Sequence, residues 1–182
     1  MIKLFKYEGW QVTVEPEAIM LAPFKAIWDR DNSNDKTMAK QELAYIYFLE
    51  DPRSDYQYIV DIEERSKEII SGLGMPKEWK PDKVIERAAT FYRSFKPISA
   101  GLLEDTRYVA NKLRTSIKEM DFDERDDKGK PIYTLNSISA TLKQLATLAV
   151  DLDEAERKLN KDIVAEAKAR GNNTKALLED DY

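Results

Sequence analysis

Asp29, Asp31 and Ser33 are the residues best spaced to hold a metal ion. Their alternation matches the first ligands of a calcium-binding EF-hand loop. Asn34 stands where that loop needs glycine, and Lys40 occupies the twelfth position, where a bidentate glutamate belongs. We therefore predict a capped loop before a helix at this point, with calcium binding as the alternative.

Two further stretches carry incomplete motifs. Residues 121–127 are acidic enough to hold a hard cation, but Gly129 is misplaced for an EF-hand, and a solvated loop is the simpler interpretation. Gly72 and Gly74 lack the third glycine and the preceding strand of a dinucleotide fingerprint, and no Gly-Lys-Ser/Thr phosphate loop is present. The sequence thus predicts no metal site and no cofactor.

The sequence contains no histidine and no cysteine. A Ser-His-Asp triad, a cysteine nucleophile, a thiolate metal site and a disulfide framework are therefore excluded. Paired carboxylates can act as acid and base only where a pocket holds both of them. Among 34 aspartates and glutamates, any spacing arises by chance. We predict that the protein is not an enzyme and has no catalytic residues.

Charge and hydropathy argue against two kinds of interaction, adhesion to nucleic acid and insertion into a membrane. The net charge of -5 disfavours general binding to nucleic acid, which needs clustered lysines and arginines. The longest apolar run, 43–49, is far shorter than the roughly 20 residues that span a bilayer. The start of the chain lacks the apolar core of a signal peptide. We expect a soluble protein without a membrane partner.

Residues 1–22 are predicted to form a β-hairpin and an extension. Glu8 and Gly9 supply the turn between two loosely alternating apolar stretches. The apolar positions are Ile2, Leu4, Trp10, Val12 and Val14. A lone hairpin is marginally stable in water, so it must pack on the helical body or on another chain.

Residues 23–170 are predicted to form a mainly α domain, a multi-helix bundle. The helix over 36–50 is apolar on every side at its centre, 43–49, which indicates burial all round. A third helix is closed by Gly72, and Asp82 caps a fourth. The predicted helices cover about 23–28, 36–50, 61–71, 82–95, 99–120 and 134–170.

The last two helices are predicted to form a long antiparallel hairpin over about 97–170, followed by a tail at 171–182. Apolar residues recur in steps of three and four, as in a coiled-coil seam. The predicted seam comprises Leu103, Thr106, Ala110, Leu113, Ile117 and Met120 on one helix and Ile138, Leu142, Leu145, Ala149, Leu152, Leu159 and Ile163 on the other.

Aromatic residues are the candidate contacts between subunits. Tryptophan is enriched at interface hot spots, and an all-round apolar helix can pack on its own domain and on a neighbour. The terminal segments are expected to reach across to neighbouring subunits. The candidate interface residues are Trp10, Tyr45, Tyr47, Phe48, Trp79 and Tyr182. Core packing is the alternative role for these side chains.

One segment carries a family resemblance. Residues 43–56 read Leu-Ala-Tyr-Ile-Tyr-Phe-Leu-Glu-Asp-Pro-Arg-Ser-Asp-Tyr. Together with the helical hairpin and the clasping ends, this segment resembles the small head–tail connector (neck or tail-ring adaptor) proteins of Bacteroides-type crAss-like phages, which sit beneath a portal. The resemblance implies a virion structural protein of the tail or neck, assembled in the host cytoplasm.

The resemblance also implies partners. They are further copies of the chain in a ring of twelve, the phage portal, the adjacent tail-ring proteins, and genomic DNA passing non-specifically through the lumen. An acidic bore suits that role because it repels the phosphate backbone. Two other functions stay open: an intracellular helical adaptor or regulatory protein that binds one partner, and a small metal-dependent enzyme that uses the acidic loops.

Overall fold

A computed structural model describes residues 4–8 and 11–169. The chain divides into two compact units, Met1–Lys96 (unit 1) and Pro97–Tyr182 (unit 2). The predicted mainly α fold with a β-hairpin near its start is confirmed. The boundary at Lys96 and Pro97 splits the stretch that was predicted as one helical domain, 23–170, and it coincides with the start of the long hairpin.

The β-hairpin belongs to the core of unit 1. Strands β1 (Phe5–Glu8) and β2 (Gln11–Val14) pair antiparallel. Phe5 is 2% exposed, and its ring contacts the rings of Phe24, Tyr47 and Tyr92 at centroid distances of 5.7, 5.8 and 5.2 Å. The hairpin is therefore stabilised by its own unit. The predicted strand residues Ile2 and Trp10 lie outside the described residues.

Helix α3 is the central element of unit 1, as its all-round apolar sequence predicts. The helices of this unit are α1 (Pro16–Ile19), α2 (Ala22–Arg30), α3 (Thr37–Glu50), α4 (Ile62–Gly72) and α5 (Lys83–Arg93), with a 3₁₀ turn at Asp55–Tyr58. Strand β2 and helices α2, α4 and α5 all pack against α3. Leu43 and Ile46 on this helix are fully buried.

Side-chain caps and a glycine set the ends of α4 and α5. Asp61 accepts a hydrogen bond from the backbone N–H of Glu64, and Asp82 caps α5 in the same way. The predicted role of Gly72 as the residue that closes α4 is wrong. Gly72 is still helical, and Gly74, with a φ of 65°, makes the left-handed turn that ends the helix.

Gly72 is instead required by its contact with Tyr56. A Cβ atom at this position would lie 2.1 Å from the Tyr56 hydroxyl oxygen. We expect Gly72→Ala to destabilise unit 1 by about 1 kcal/mol, because the ring must move. In a Tyr56→Phe background the same change should destabilise less, because the nearest remaining ring atom, Cζ, lies 3.3 Å from the added Cβ instead of 2.1 Å. Urea unfolding of the unchanged chain, the two single variants and the double variant tests this, and an equal loss of stability in both backgrounds would refute it.

Unit 2 contains two long helices, α6 (Ile98–Glu119) and α7 (Leu135–Ala169), which pack as the predicted hairpin. Its most buried cluster comprises Ala100, Leu103, Ala155 and Leu159. The predicted seam of α6 holds, because each of its positions is buried or half-buried. Among the side chains that the structure describes, the predicted seam of α7 is wrong at two positions, since Leu142 is 49% exposed and Ala149 is also exposed. The side chain of Ile163 lies outside the described part.

The observed inward positions of α7 follow a strict alternation of three and four residues. They are Ile138, Thr141, Leu145, Leu148, Leu152, Ala155 and Leu159. Thr141 thus replaces Leu142 in the seam, and Leu148 replaces Ala149. Register along a seam is set by which positions face the partner helix, not by the most apolar side chain of each turn. Leu142 is therefore left on the surface of the hairpin.

Candidate functional site

Three of the predicted interface residues lie inside unit 1. Tyr45 and Tyr47 are each 2% exposed, and Phe48 is 6% exposed. The Tyr47 and Phe48 rings contact each other at 5.4 Å, and the Tyr45 hydroxyl is hydrogen-bonded to Ser66 at 2.8 Å. Their own unit already covers these side chains, which fits the alternative role of core packing, and contact of these residues with another subunit stays a prediction.

Of the other three candidates, only Trp79 lies within the described residues. Trp79 is half-buried, and its ring contacts that of Tyr45 edge-on at 4.9 Å, so the structure brings these two candidates together. Its outer surface stays a predicted interface. Trp10 and Tyr182 lie outside the described residues.

A buried carboxylate, Asp51, joins α3 to α5. It is fully buried and accepts hydrogen bonds from the Tyr92 hydroxyl at 2.6 Å and from the Arg53 guanidinium at 2.8 and 2.9 Å. Burial, and then the neighbouring Asp51 carboxylate, raises the pKa of Tyr92. No surface of Asp51 is accessible to a substrate, so this arrangement stabilises the fold and does not form an active site.

Glu50 makes a second buried ionic contact between the same two helices. It is 3% exposed, and its carboxylate lies 2.5 Å from Arg93 and 3.1 Å from Lys96. Burial acts to raise the pKa of Glu50, but the hydrogen bond from Arg93 and the charge of Lys96 outweigh it, so the pKa is lowered. Glu50 therefore stays ionised and holds the end of α5 against α3.

The EF-hand-like stretch is a structural loop. The buried Asp31 carboxylate accepts hydrogen bonds from the backbone N–H of Ala39 and from both the backbone N–H and the hydroxyl of Ser33. These bonds, that from Ala39 first, lower the pKa of Asp31 to about 2. The Lys36 backbone is left-handed, with a φ of 53°. The loop is thus organised by its own hydrogen bonds. Lys36 at the N-cap of α3 makes no side-chain cap, and Asp31 instead accepts a hydrogen bond from the first turn of the helix.

Asp31 gives the protein a predictable sensitivity to acid. Its pKa is about 2 in the folded chain against an ordinary 3.8, so its stabilising effect is complete above 3.8 and is lost as the pH falls towards 2. We expect Asp31→Asn to be less stable than the unchanged chain near neutral pH, and this difference to shrink towards pH 2. Urea unfolding at a series of pH values measures it.

Asp29→Asn removes a charge from the same loop and is the control for that experiment. Asp29 is exposed. We expect its substitution to leave stability close to that of the unchanged chain. If the difference in the free energy of unfolding between Asp31→Asn and the unchanged chain stays constant from pH 7 to pH 2, the lowered pKa of Asp31 is contradicted.

The acidic loop of unit 2 uses its carboxylates to form turns. Asp121 accepts from the backbone N–H of Asp123, and Asp126 accepts from those of Lys128 and Lys130, at 2.8 to 2.9 Å. Every residue from 121 to 130 is exposed. Within the part of the chain that the structure describes, no three carboxylates are grouped closely enough to hold a metal ion.

The feature that sequence reasoning missed is a pair of apolar surfaces on the hairpin. On α7, Leu135 is 86% exposed and Leu142 is 49% exposed, with exposed Ala149 seven residues further on; we call these three the tip flank. On α6, the exposed aliphatic residues Ile98 (93%), Leu102 (54%) and Val109 (45%) share one face of the helix, and we call these three the base flank. A corrected register of the α7 seam would have revealed the tip flank, whereas the base flank follows from the α6 seam as predicted.

The two flanks lie on opposite sides of the hairpin. Glu156 follows Ala149 by seven residues, so it continues the tip flank along α7, and it forms an ion pair with Arg107 of α6 at 2.6 Å. Arg107 therefore marks the tip-flank side of α6. On α6, Leu102 and Val109 each precede a seam residue, whereas Arg107 follows one. Leu102 and Val109 therefore lie on the side of α6 opposite to Arg107, away from the tip flank.

No protein-family model, curated protein or solved structure matches this chain. Within the described residues, no helix combines the length and apolarity needed to cross a membrane. The surfaces of the molecule itself are therefore the basis for inferring its function.

Proposed function

We propose that this chain is a structural subunit that assembles side by side with copies of itself through unit 2. The observation that carries the proposal is the pair of exposed apolar flanks on opposite sides of the helical hairpin. Large apolar side chains clustered on a surface are typical of contacts between proteins. Neither flank contains a group that could catalyse a reaction.

Opposite flanks favour a head-to-tail contact. If the tip flank of one copy packs on the base flank of the next, each copy has one flank free for a further neighbour. Contacts of this kind generate closed rings when the rotation between neighbours closes, and open filaments when it does not. A two-fold dimer would instead need a surface that is complementary to itself.

The incomplete cover of the seam supports the same proposal. Leu113, Ile117, Leu145 and Leu148 face the partner helix, but all four are only half-buried. In a pair of helices, each seam residue is covered by one partner helix only. In a bundle of four helices, other helices also cover these residues and bury them more fully. Lateral neighbours would therefore bury apolar surface that a single hairpin leaves in water.

For the particular assembly, we propose the head–tail connector ring of a tailed phage, a virion protein that contacts a portal, the adjacent tail-ring proteins and the DNA in its lumen. The resemblance of residues 43–56 to crAss-like phage connector proteins supports this setting. The net charge of -5 suits a bore through which DNA passes without adhering.

Negative-stain electron microscopy of the purified chain tests this proposal. We expect closed rings of one size. Open filaments would contradict the connector ring while leaving head-to-tail contact intact. Isolated particles of single-chain size, in the presence and absence of a candidate portal, would contradict both and would favour an adaptor that grips one partner.

A further inference from the structure

An aromatic groove of about 320 Å³ opens on the surface of unit 1. It lies between β1, the end of α3, the 3₁₀ turn and the end of α4. Four aromatic side chains and one carboxylate line it, together with Gly72 and Leu73. These five side chains are Tyr7, Phe48, Asp55, Tyr56 and Tyr58.

The rings of the aromatic groove meet at steep angles. Tyr7 contacts Phe48 with ring centroids 5.5 Å apart and planes at 86°, and Phe48 contacts Tyr56 at 5.2 Å and 70°. Both contacts are edge-to-face, and all three rings line the groove. Phe48 is 6% exposed and lies deepest, whereas Tyr58 is 75% exposed and lies at the rim. The volume of the aromatic groove is at the lower end of the range of about 300–1,000 Å³ for ligand sites, so the groove suits a small chemical group.

Asp55 supplies the charge of the groove. The Tyr7 hydroxyl donates a hydrogen bond to its carboxylate at 2.5 Å. Burial first, and then this hydrogen bond, raises the pKa of Tyr7 to about 12, so the phenol stays neutral and continues to donate. A carboxylate has about four acceptor positions, and one phenol donor leaves room for further donors.

Aromatic faces and a carboxylate together select a cation. The face of an aromatic ring carries negative electrostatic potential and attracts ammonium and guanidinium groups within about 6 Å. A guanidinium group is planar, stacks on ring faces and donates two parallel hydrogen bonds to a carboxylate, which an ammonium group does not. An arginine side chain combines both contacts in a groove of this size.

We propose that the aromatic groove of unit 1 binds an arginine side chain carried by a partner polypeptide. The groove is open at the surface, with Tyr58 at its rim, so a side chain that projects from another protein can reach it. This site lies in unit 1 and is separate from the flanks of unit 2, so it does not depend on the assembly proposed above.

Ligand-observed saturation-transfer NMR on the full chain tests the proposal. The probes are N-acetyl-arginine amide, its neutral isostere N-acetyl-citrulline amide, and spermidine as a cation that is not a side chain. We expect the arginine probe to bind with a Kd on the order of 1 mM, as its size allows. Citrulline should bind about three- to thirtyfold more weakly, because it lacks the charge.

Two variants locate the site, each with a control. Asp55→Asn and Tyr58→Ala should each weaken binding of the arginine probe about three- to thirtyfold. Asp29→Asn and Tyr108→Ala remove an exposed carboxylate and an exposed tyrosine elsewhere and should leave it unchanged. Because all four positions are exposed, the variants should fold. Equal binding of arginine and citrulline, equal loss in a control and its test variant, or binding of spermidine alone would overturn the proposal.

Discussion

Replacing Asp51 by alanine is expected to destabilise unit 1 by about 3 kcal/mol, the lower end of the range for breaking a buried ion pair. The change leaves the Tyr92 hydroxyl without its acceptor in the core and the Arg53 guanidinium without its counter-charge. The lower end applies because Arg53 is 37% exposed, so water can solvate part of its charge. All three tryptophans of the chain belong to unit 1, so their fluorescence during urea unfolding reports this loss.

Tyr92→Phe provides a graded comparison for Asp51→Ala. It removes one hydrogen bond to Asp51 but keeps the ring and the Arg53 pair, so we expect a loss of about 1 kcal/mol. The double variant should lose less than the sum of the two single losses, because both substitutions break the same hydrogen bond. Additive losses, or a loss below 1 kcal/mol for Asp51→Ala, would contradict the role assigned to this carboxylate.

Replacing Leu135 and Leu142 together by glutamine is expected to abolish self-assembly. Each side chain is exposed in the single chain, so the fold should be retained, but the contact between subunits loses the burial of two leucines. That loss is about 3 kcal/mol or more per contact, which weakens association over a hundredfold. Sedimentation velocity measures it. Val150→Gln, at an exposed valine of α7 outside both flanks, is the control and should assemble normally.

Mixing two defective chains distinguishes a head-to-tail contact from a symmetric one. Leu102→Gln with Val109→Gln damages the base flank, and the double leucine variant damages the tip flank. Each variant alone should be monomeric. Their mixture should form dimers and nothing larger, because only one intact pair of flanks is available. A mixture that stays monomeric, or a base-flank variant that assembles normally, would contradict the head-to-tail arrangement.

Local signals in the sequence were sufficient for much of unit 1. The all-round apolar segment 43–49 predicts a helix buried on every side, and α3 is that helix. Asp61 and Asp82 predict helix starts because their side chains can cap free backbone N–H groups, and both do so. Such features depend on residues a few positions apart, which is why they can be read without the fold.

Features that depend on a packing partner could not be predicted in this way. Leu142 is more apolar than Thr141, yet Thr141 faces α6, because contact with the other helix sets the register of the whole seam. Residue type alone predicts that Gly72 ends the helix, whereas its contact with Tyr56 forms only with the folded 3₁₀ turn.

The candidate interaction sites illustrate the same limit. The aromatic groove combines Tyr7, Phe48, Asp55 and Tyr58 with residues at the end of α4, which only the folded unit brings together. The interface candidates are predicted from their residue type, because aromatic residues are enriched at contacts between proteins. Type alone does not distinguish Tyr45 and Tyr47, which lie in the core, from Tyr58 at the surface.

The most direct test of the central claim, assembly through two opposite flanks, is the mass distribution of the unmodified chain in mass photometry over a range of concentrations. We expect one dominant species at a high multiple of the 21.1 kDa chain, twelve copies for the proposed connector, without a stable dimer. A mass of one chain at every concentration, or a distribution that ends at the dimer, would contradict the claim.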